Sequence, residues 1–297
     1  MRVAITIATR NRRNDLEKTC AALTKLSPPP DEFWICADGC TDDTVAWVRR
    51  QAPHARLIEH PVSRHSIRSR DEMIRATTCD IVVGIDDDSY PLSPDFVTHL
   101  RARFAARPRC AVLSFPQRTD EFPASLTATD FGPALQVGSY VNAASALRRS
   151  TYLELGGWAL MFEHAYDEPD YTLRCLAAGW EVLFDPAQPF RHHWSPRMRN
   201  EINIHHRHAR NEQWSVLMRC PSPLWPLACL RRAAGQFAYA VKRGPAWVVR
   251  EPIWWWRALR GAGDAWTRRA PVSAAAYRRW RKLLHCPEPI ELSVPTP

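Results

Sequence analysis

Short apolar runs alternate with longer segments of helical period along the first two thirds of the chain. Residues 3–8 (VAITIA), 33–37, 55–59, 80–85 (DIVVGI) and 111–115 read as strands. They are rich in β-branched residues and nearly continuous in apolar character, the pattern of strands covered on both faces. Between them, 15–25, 42–50, 66–77 and 93–106 read as helices. Leu16, Cys20 and Leu23 share one face of the first, and Thr41 is placed to cap the second. The order βαβαβαβ predicts a mostly parallel central sheet flanked by helices. Further on, 138–147 (GSYVNAASAL) is strand-like. A helix is expected over 169–178, closed by Gly179, and a strand over 180–184.

Ligands of open α/β sheets bind beyond the carboxyl ends of the strands. The polar residues there are Thr9-Arg10-Asn11 after the first strand, Asp38-Gly39 after the second and Asp86-Asp87-Asp88 after the fourth. Three adjacent carboxylates at a buried strand end repel one another unless a cation is present. Hard divalent ions prefer oxygen ligands and often bridge protein to phosphate. Taken singly, Asp-Gly is a turn signal, and the pair Arg68 and Arg70 is a solvated helix face. Together with the acidic triplet they can also read a base edge and grip a diphosphate.

Composition divides the chain in two. Up to Ser195 it carries 22 Lys and Arg against 25 Asp and Glu, and from Pro196 onward 18 against 6. Of the 13 tryptophans, 8 fall in that basic part. Here Leu227, Leu230, Ala234, Phe237 and Val241 recur at helical spacing between arginines, and Trp254-Trp255-Trp256 is flanked by Arg250, Arg257 and Arg260. Basic residues beside Trp and Leu suit a helix lying in an anionic membrane interface, and equally a helix packed on the body with its arginines outward. The nine cysteines show no CxxC spacing and read as free thiols in a reducing cytosol. No signal-peptide core and no apolar run of spanning length is present, so a cytoplasmic protein, peripheral on the inner face of the membrane, is expected.

Several segments, in order, resemble the family 2 glycosyltransferases of GT-A fold. VAITIATRNR resembles the family's first strand and T-x-N-R turn, ICADGCTDDT its D-D-G-S-x-D-x-T segment, and SRDEMIRATTCDIVVGIDDDSYP the segment ending in D-x-D. GGW, DEPDYTLRCLAAGW and FRHHWS resemble the acceptor-side blocks. RNEQWSVLMRCP resembles a segment of members that build bacterial surface glycans. The resemblance covers about residues 3–221. It implies a catalytic domain over 1–221, with a donor half to about 115 and an acceptor half over 116–221, and a basic helical tail over 222–297.

The resemblance further implies an inverting, metal-dependent transfer of sugar from a nucleotide-diphosphate donor of UDP or dTDP type to a carbohydrate or lipid-linked hydroxyl. Asp38 would contact the nucleobase with Thr9 and Arg10 nearby. Arg70 would hold the uridine or diphosphate side, with Asp87 in the donor site. Asp86 would lie near ribose and metal, and Asp88 would ligate Mn²⁺ or Mg²⁺, with His192 as a further ligand. The family's usual Asp-Asp-Gly-Ser is here Ala37-Asp38-Gly39-Cys40, which leaves Asp38 as the base reader. Glu168, six residues before Arg174, would be the general base, with Asp167 and Asp170 as fallbacks. Because Pro169 restricts the residue before it, Glu168 is expected just outside the helix, ionised by the helix's positive end. The competing readings are an inactive scaffold of the same fold and a nucleic-acid binder using the basic tail. The acidic strand ends oppose the latter, so no nucleic acid is expected.

Overall fold

In a computed structural model, residues 1–194 and 200–292 are described. Ser195, the end of the FRHHWS block, and the last five residues of the tail lie outside them.

The chain opens with β1 (Val3–Thr9), α1 (Arg13–Leu23), β2 (Glu32–Asp38), α2 (Thr44–Gln51), β3 (Arg56–His60), α3 (Ser66–Ala76) and β4 (Ile81–Asp86). It continues with β5 (Ser89–Pro91), α4 (Phe96–Ala106), β6 (Cys110–Ser114), β7 (Gln117–Thr119), β8 (Leu135–Gln136), β9 (Ser145–Arg148) and α5 (Arg149–Glu154). Next come α6 (Asp167–Ala177), β10 (Glu181–Phe184), β11 (Phe190–His192) and α7 (Glu201–Arg219). The C-terminal part holds α8 (Trp225–Arg243), α9 (Pro245–Val248), α10 (Glu251–Arg260), α11 (Ala262–Thr267), α12 (Ala274–His285) and β12 (Glu288–Pro289).

The main sheet has nine strands in the order β12-β8-β10-β6-β9-β4-β1-β2-β3. It is parallel from β3 through β2 and β1 to β4, as the apolar runs predict. Val3, Ile5, Ile7, Ile35, Ile81, Val83 and Ile85 are sealed from solvent and form its centre. Beyond β4 the sheet becomes mixed, because β9 runs antiparallel to both β4 and β6. The strand-like 138–147 is only partly strand: Asn142–Ala144 is a turn of 3₁₀ helix, and the ladder starts at Ser145. Thr41 does not cap α2. Asp43 precedes that helix, and the Thr41 backbone N–H donates instead to Asn11 Oδ1 at 2.7 Å, tying the turns after β1 and β2 together.

A second sheet, β5-β11-β7, sits at the carboxyl end of β4. Strand β5 follows the acidic triplet directly and pairs antiparallel with β11, so that His192 faces Ser89. The tail is tied to the body along α7, against which Trp254, Ala258 and Ala265 are buried, and at two further places. Strand β12 adds to β8 at the sheet edge. Helix α12 buries Tyr277, Trp280 and Leu283 with Leu173 and Leu176 of α6. Gly138 allows this close approach, since a Cβ there would lie 2.4 Å from the Leu284 nitrogen. Among the described residues no helix is long and apolar enough to cross a membrane, and all nine cysteines are free.

Candidate active site

The carboxyl ends of β1, β2 and β4 converge as the strand order requires. A pocket of about 210 Å³ lies there, lined by Thr9, Arg10, Asp38, Ser63, Ser66, His164 and Arg207 among others. Asp38 is buried and accepts from the Arg64 backbone N–H at 2.7 Å, the Ser63 hydroxyl at 2.6 Å and the His60 ring at 3.0 Å. Burial works to raise its pKa, but these donors outweigh it and hold the carboxyl below its ordinary range. Asp38 thus fixes the loop after β3 while presenting an anionic wall to the pocket.

The acidic triplet divides its work. Asp87 turns inward, accepting from the Thr9 hydroxyl at 2.7 Å and pairing with Arg12 at 3.1 Å. Burial pushes its pKa up to about 7. Asp88 is also buried, with Arg12 2.6 Å from Oδ2. Its Oδ1 lies 3.4 Å from His192 Nε2 and has no donor in hydrogen-bonding geometry. Although burial opposes it, His192 and Arg12 hold Asp88 below the ordinary carboxylate range. Asp86 pairs with Arg70. Asp86, Asp88 and His192 each offer one ligand atom, all within 4.8 Å of one another. Two carboxylates and an imidazole around an unsatisfied buried oxygen form a donor set that can hold a divalent cation. Ser89 keeps the turn in place, its hydroxyl accepting from the Asp86 N–H and donating to the Ala143 carbonyl.

Arg70 is 5% exposed, yet its Nη1 has no hydrogen-bond partner. The guanidinium passes beside Gly84, where a Cβ would stand 3.2 Å from Nη1. Arg68, by contrast, does not line the pocket.

Asn142, on the 3₁₀ turn before β9, links the triplet to the acceptor-side carboxylates. Its side chain donates to Asp167 at 2.6 Å, and its backbone N–H donates to Glu168. Both carboxylates occupy the first turn of α6. Glu168 is therefore inside the helix rather than before it. Pro169 still fits, because backbone N–H groups of a first turn have no intrahelical partner. The expected ionising effect of the helix end also loses. Burial, and then the adjacent charge of Asp167, push the Glu168 carboxyl well above its ordinary range. Asp170 does not join the site. It is fully buried, paired with Arg174 at 3.1 Å and Arg219 at 3.2 Å, and accepts from Ser215. The arginine that follows Glu168 by six residues is thus structural: Arg174 also donates to the Leu155 and Gly157 carbonyls.

Three features escaped the sequence reading. Arg12 clamps two of the three triplet carboxylates, and the T-x-N-R turn was the signal that could have found it. His164 and Arg207 line the pocket at the strand ends with no local pattern to mark them. The loop before α6 is strained: Glu163, Ala165 and Tyr166 all have positive φ, at 64°, 69° and 67°. Asn211 of α7, fully buried, holds it by donating to the carbonyls of Phe162, His164 and Ala165 at 2.8–3.0 Å.

A model of the family described as glycosyl transferase family 2 matches residues 4–177, more than half of the chain. The chain belongs to that family. Among solved structures it is similar to a mannosyltransferase from Pyrobaculum calidifontis, solved with GDP-Man and Mn²⁺, at 19% identity and TM-score 0.58, over 96% of this chain and 87% of that one. It is also similar to residues 1–349 of S. aureus TarS in complex with UDP-GlcNAc, at 11% identity and TM-score 0.64, over 89% and 81% of the two chains. These likenesses establish the GT-A fold. No curated protein matches the chain.

Proposed function

We propose that the protein is a metal-dependent, inverting glycosyltransferase that moves a sugar from a nucleoside-diphosphate donor to a hydroxyl acceptor in bacterial surface-glycan or glycolipid synthesis. One observation carries this reading: the Asp86, Asp88 and His192 cluster and the Asp167 and Glu168 pair are joined through the same short turn at 142–144. The turn links a cation site to a candidate base.

Thr9, Arg10 and Asp38 would receive the nucleoside, with His164 and Arg207 closing the pocket. A cation on Asp86, Asp88 and His192 would neutralise charge on the departing diphosphate. The mixed oxygen and imidazole set suits Mn²⁺ better than Mg²⁺, which prefers all-oxygen shells. Arg70 offers its unpaired Nη1 to the same phosphates. Glu168 takes the proton of the acceptor hydroxyl, which displaces the diphosphate from the opposite face of the anomeric carbon. Its raised pKa makes it a stronger base once ionised. Relatives solved with GDP-Man or UDP-GlcNAc support a nucleotide-sugar donor, and the Asp38 carboxylate that lines the pocket suits a pyrimidine ring N–H.

Helices α8 and α10 support peripheral membrane contact. Leu227, Leu230 and Leu259 are 70%, 70% and 76% exposed, and Trp256 is 57% exposed beside Arg257 and Arg260. That is more apolar surface than solvent alone explains.

The test is transfer from a panel of UDP-, dTDP- and GDP-sugars to a bacterial lipid and glycan extract, with Mn²⁺ or with chelator. The anomeric configuration of the product is read by NMR. Inversion with one donor, abolished by chelator and by Glu168→Gln, is expected. A retained configuration contradicts single displacement.

A further inference from the structure

A second cavity is larger than the pocket at the strand ends. It measures about 670 Å³ and opens between α7, α8 and α12. Its wall includes Trp194, two residues beyond His192, and Glu212, whose carboxylate receives the Tyr166 hydroxyl of the strained loop before Glu168. The cavity is thus linked to the candidate catalytic centre through the chain next to His192 and through the loop that precedes Glu168.

Its chemistry is cationic and aromatic. Arg231, Arg232, Arg243 and Arg281 face it, with Tyr239 and Trp247. Arg232 and Arg243 are matched by Glu212 and Glu201. Among the described residues Arg231 and Arg281 have no carboxylate partner. Arg281 Nε and Arg232 Nη2 are buried without a hydrogen-bond partner. Unsatisfied guanidinium donors in a concave site call for an anion with several oxygens. Flat aromatic walls beside them suit the apolar face of a sugar ring.

Helix α8 relates the cavity to the exposed apolar surface. At about 3.6 residues per turn, Arg232, Gln236 and Tyr239 fall on one side and Leu230, Phe237 and Val241 on the other. A helix is ~10 Å thick. If the apolar side enters a membrane interface, the cavity stands at headgroup depth.

We infer that this cavity is the acceptor site and takes a phosphorylated sugar, through Arg231, Arg281 and the free edge of Arg232. The inference rests on the glycosyltransferase reading and names the acceptor class. The phosphate can come from a lipid-linked sugar or from a soluble one.

The test uses the full chain without donor or metal. Pyrophosphate, N-acetylglucosamine 1-phosphate and unphosphorylated N-acetylglucosamine are titrated calorimetrically into wild type, Arg231→Ala and Arg281→Gln. The two phosphate probes are expected to bind and the plain sugar not. Each variant should weaken the probes about tenfold, the loss of one charge-assisted contact, while Mn²⁺-dependent UDP binding stays unchanged. Normal UDP binding with no phosphate-probe binding overturns the inference and leaves the donor site standing. So does probe binding that UDP displaces and both variants leave intact. Absent UDP binding is instead the failure of the transferase reading. A farnesyl-diphosphate-linked N-acetylglucosamine in phosphatidylcholine vesicles separates the sources. Binding at least tenfold tighter than the soluble sugar phosphate marks a lipid headgroup, and equal binding a soluble acceptor.

Discussion

The donor side and the C-terminal helices handle charge in opposite ways. Around β1, β2 and β4, charged residues are buried or half-buried and matched: Arg12 with Asp87 and Asp88, Arg70 with Asp86, Asp38 with three donors. What remains unsatisfied there is small and directed, an oxygen of Asp88 and a nitrogen of Arg70. Along α8 and α10, most arginines are exposed and several apolar side chains stand in solvent, while Arg232 and Trp254 turn inward. A buried charge is costly unless paired, so the first region is preorganised for one ligand geometry. Exposed Leu and Trp beside Arg need only a soft, extended anionic surface. Helix α12, sealed against α6, shows that this exposure is not general to the tail.

The sharpest way to break the contrast is Asp88→Asn. Losing the proposed cation ligand should cost on the order of 10⁴-fold in turnover, several kcal/mol of transition-state charge stabilisation. Membrane association should stay intact. Steady-state transfer and vesicle flotation on the same variant check both halves. Glu168→Gln should lower kcat about a thousandfold with UDP affinity unchanged, read by calorimetry beside kinetics.

Asn211→Ala removes the donors that hold three carbonyls of the loop before α6. A destabilisation of about 2–3 kcal/mol in urea unfolding is expected, with a fall in kcat larger than any change in donor KM. In the tail, Leu259→Glu with Trp256→Glu should weaken binding to anionic vesicles at least about tenfold, given ~1.5–3 kcal/mol per buried apolar side chain. UDP binding should not change.

The smallest effect is on pH. In the proposed mechanism activity requires ionised Glu168, whose pKa is raised, first by burial and then by Asp167. The acid limb of kcat should therefore lie above the ordinary carboxylate range. Asp167→Asn removes a negative neighbour, lowers that pKa and moves the limb to lower pH. Movement in the other direction would refute the electrostatic account.

The parallel half of the sheet and its acidic turn are legible in sequence because buried strands are written as unbroken apolar runs. The strand ends follow from the topology that those runs imply. Residues 138–147 are small and apolar throughout, so nothing local marks the 3₁₀ turn or the reversed direction of β9. Glu168 sits inside the helix because the first turn tolerates the restriction that Pro169 places on the residue before it. Asn211 and Arg207 reach the site from α7, about 40 residues after Glu168, and only tertiary packing brings them there. In the tail, helical period announced α8. No pattern distinguishes its exposed face from the sealed face of α12, because both set aromatic and aliphatic residues between arginines.

The most direct measurement is calorimetric titration of UDP, dTDP and GDP into wild type and Asp88→Asn, each with Mn²⁺ and with chelator. The account predicts that one nucleotide binds wild type only when Mn²⁺ is present and fails to bind the variant. Binding that is indifferent to both metal and Asp88, or no binding of any nucleotide by folded wild type, would contradict it.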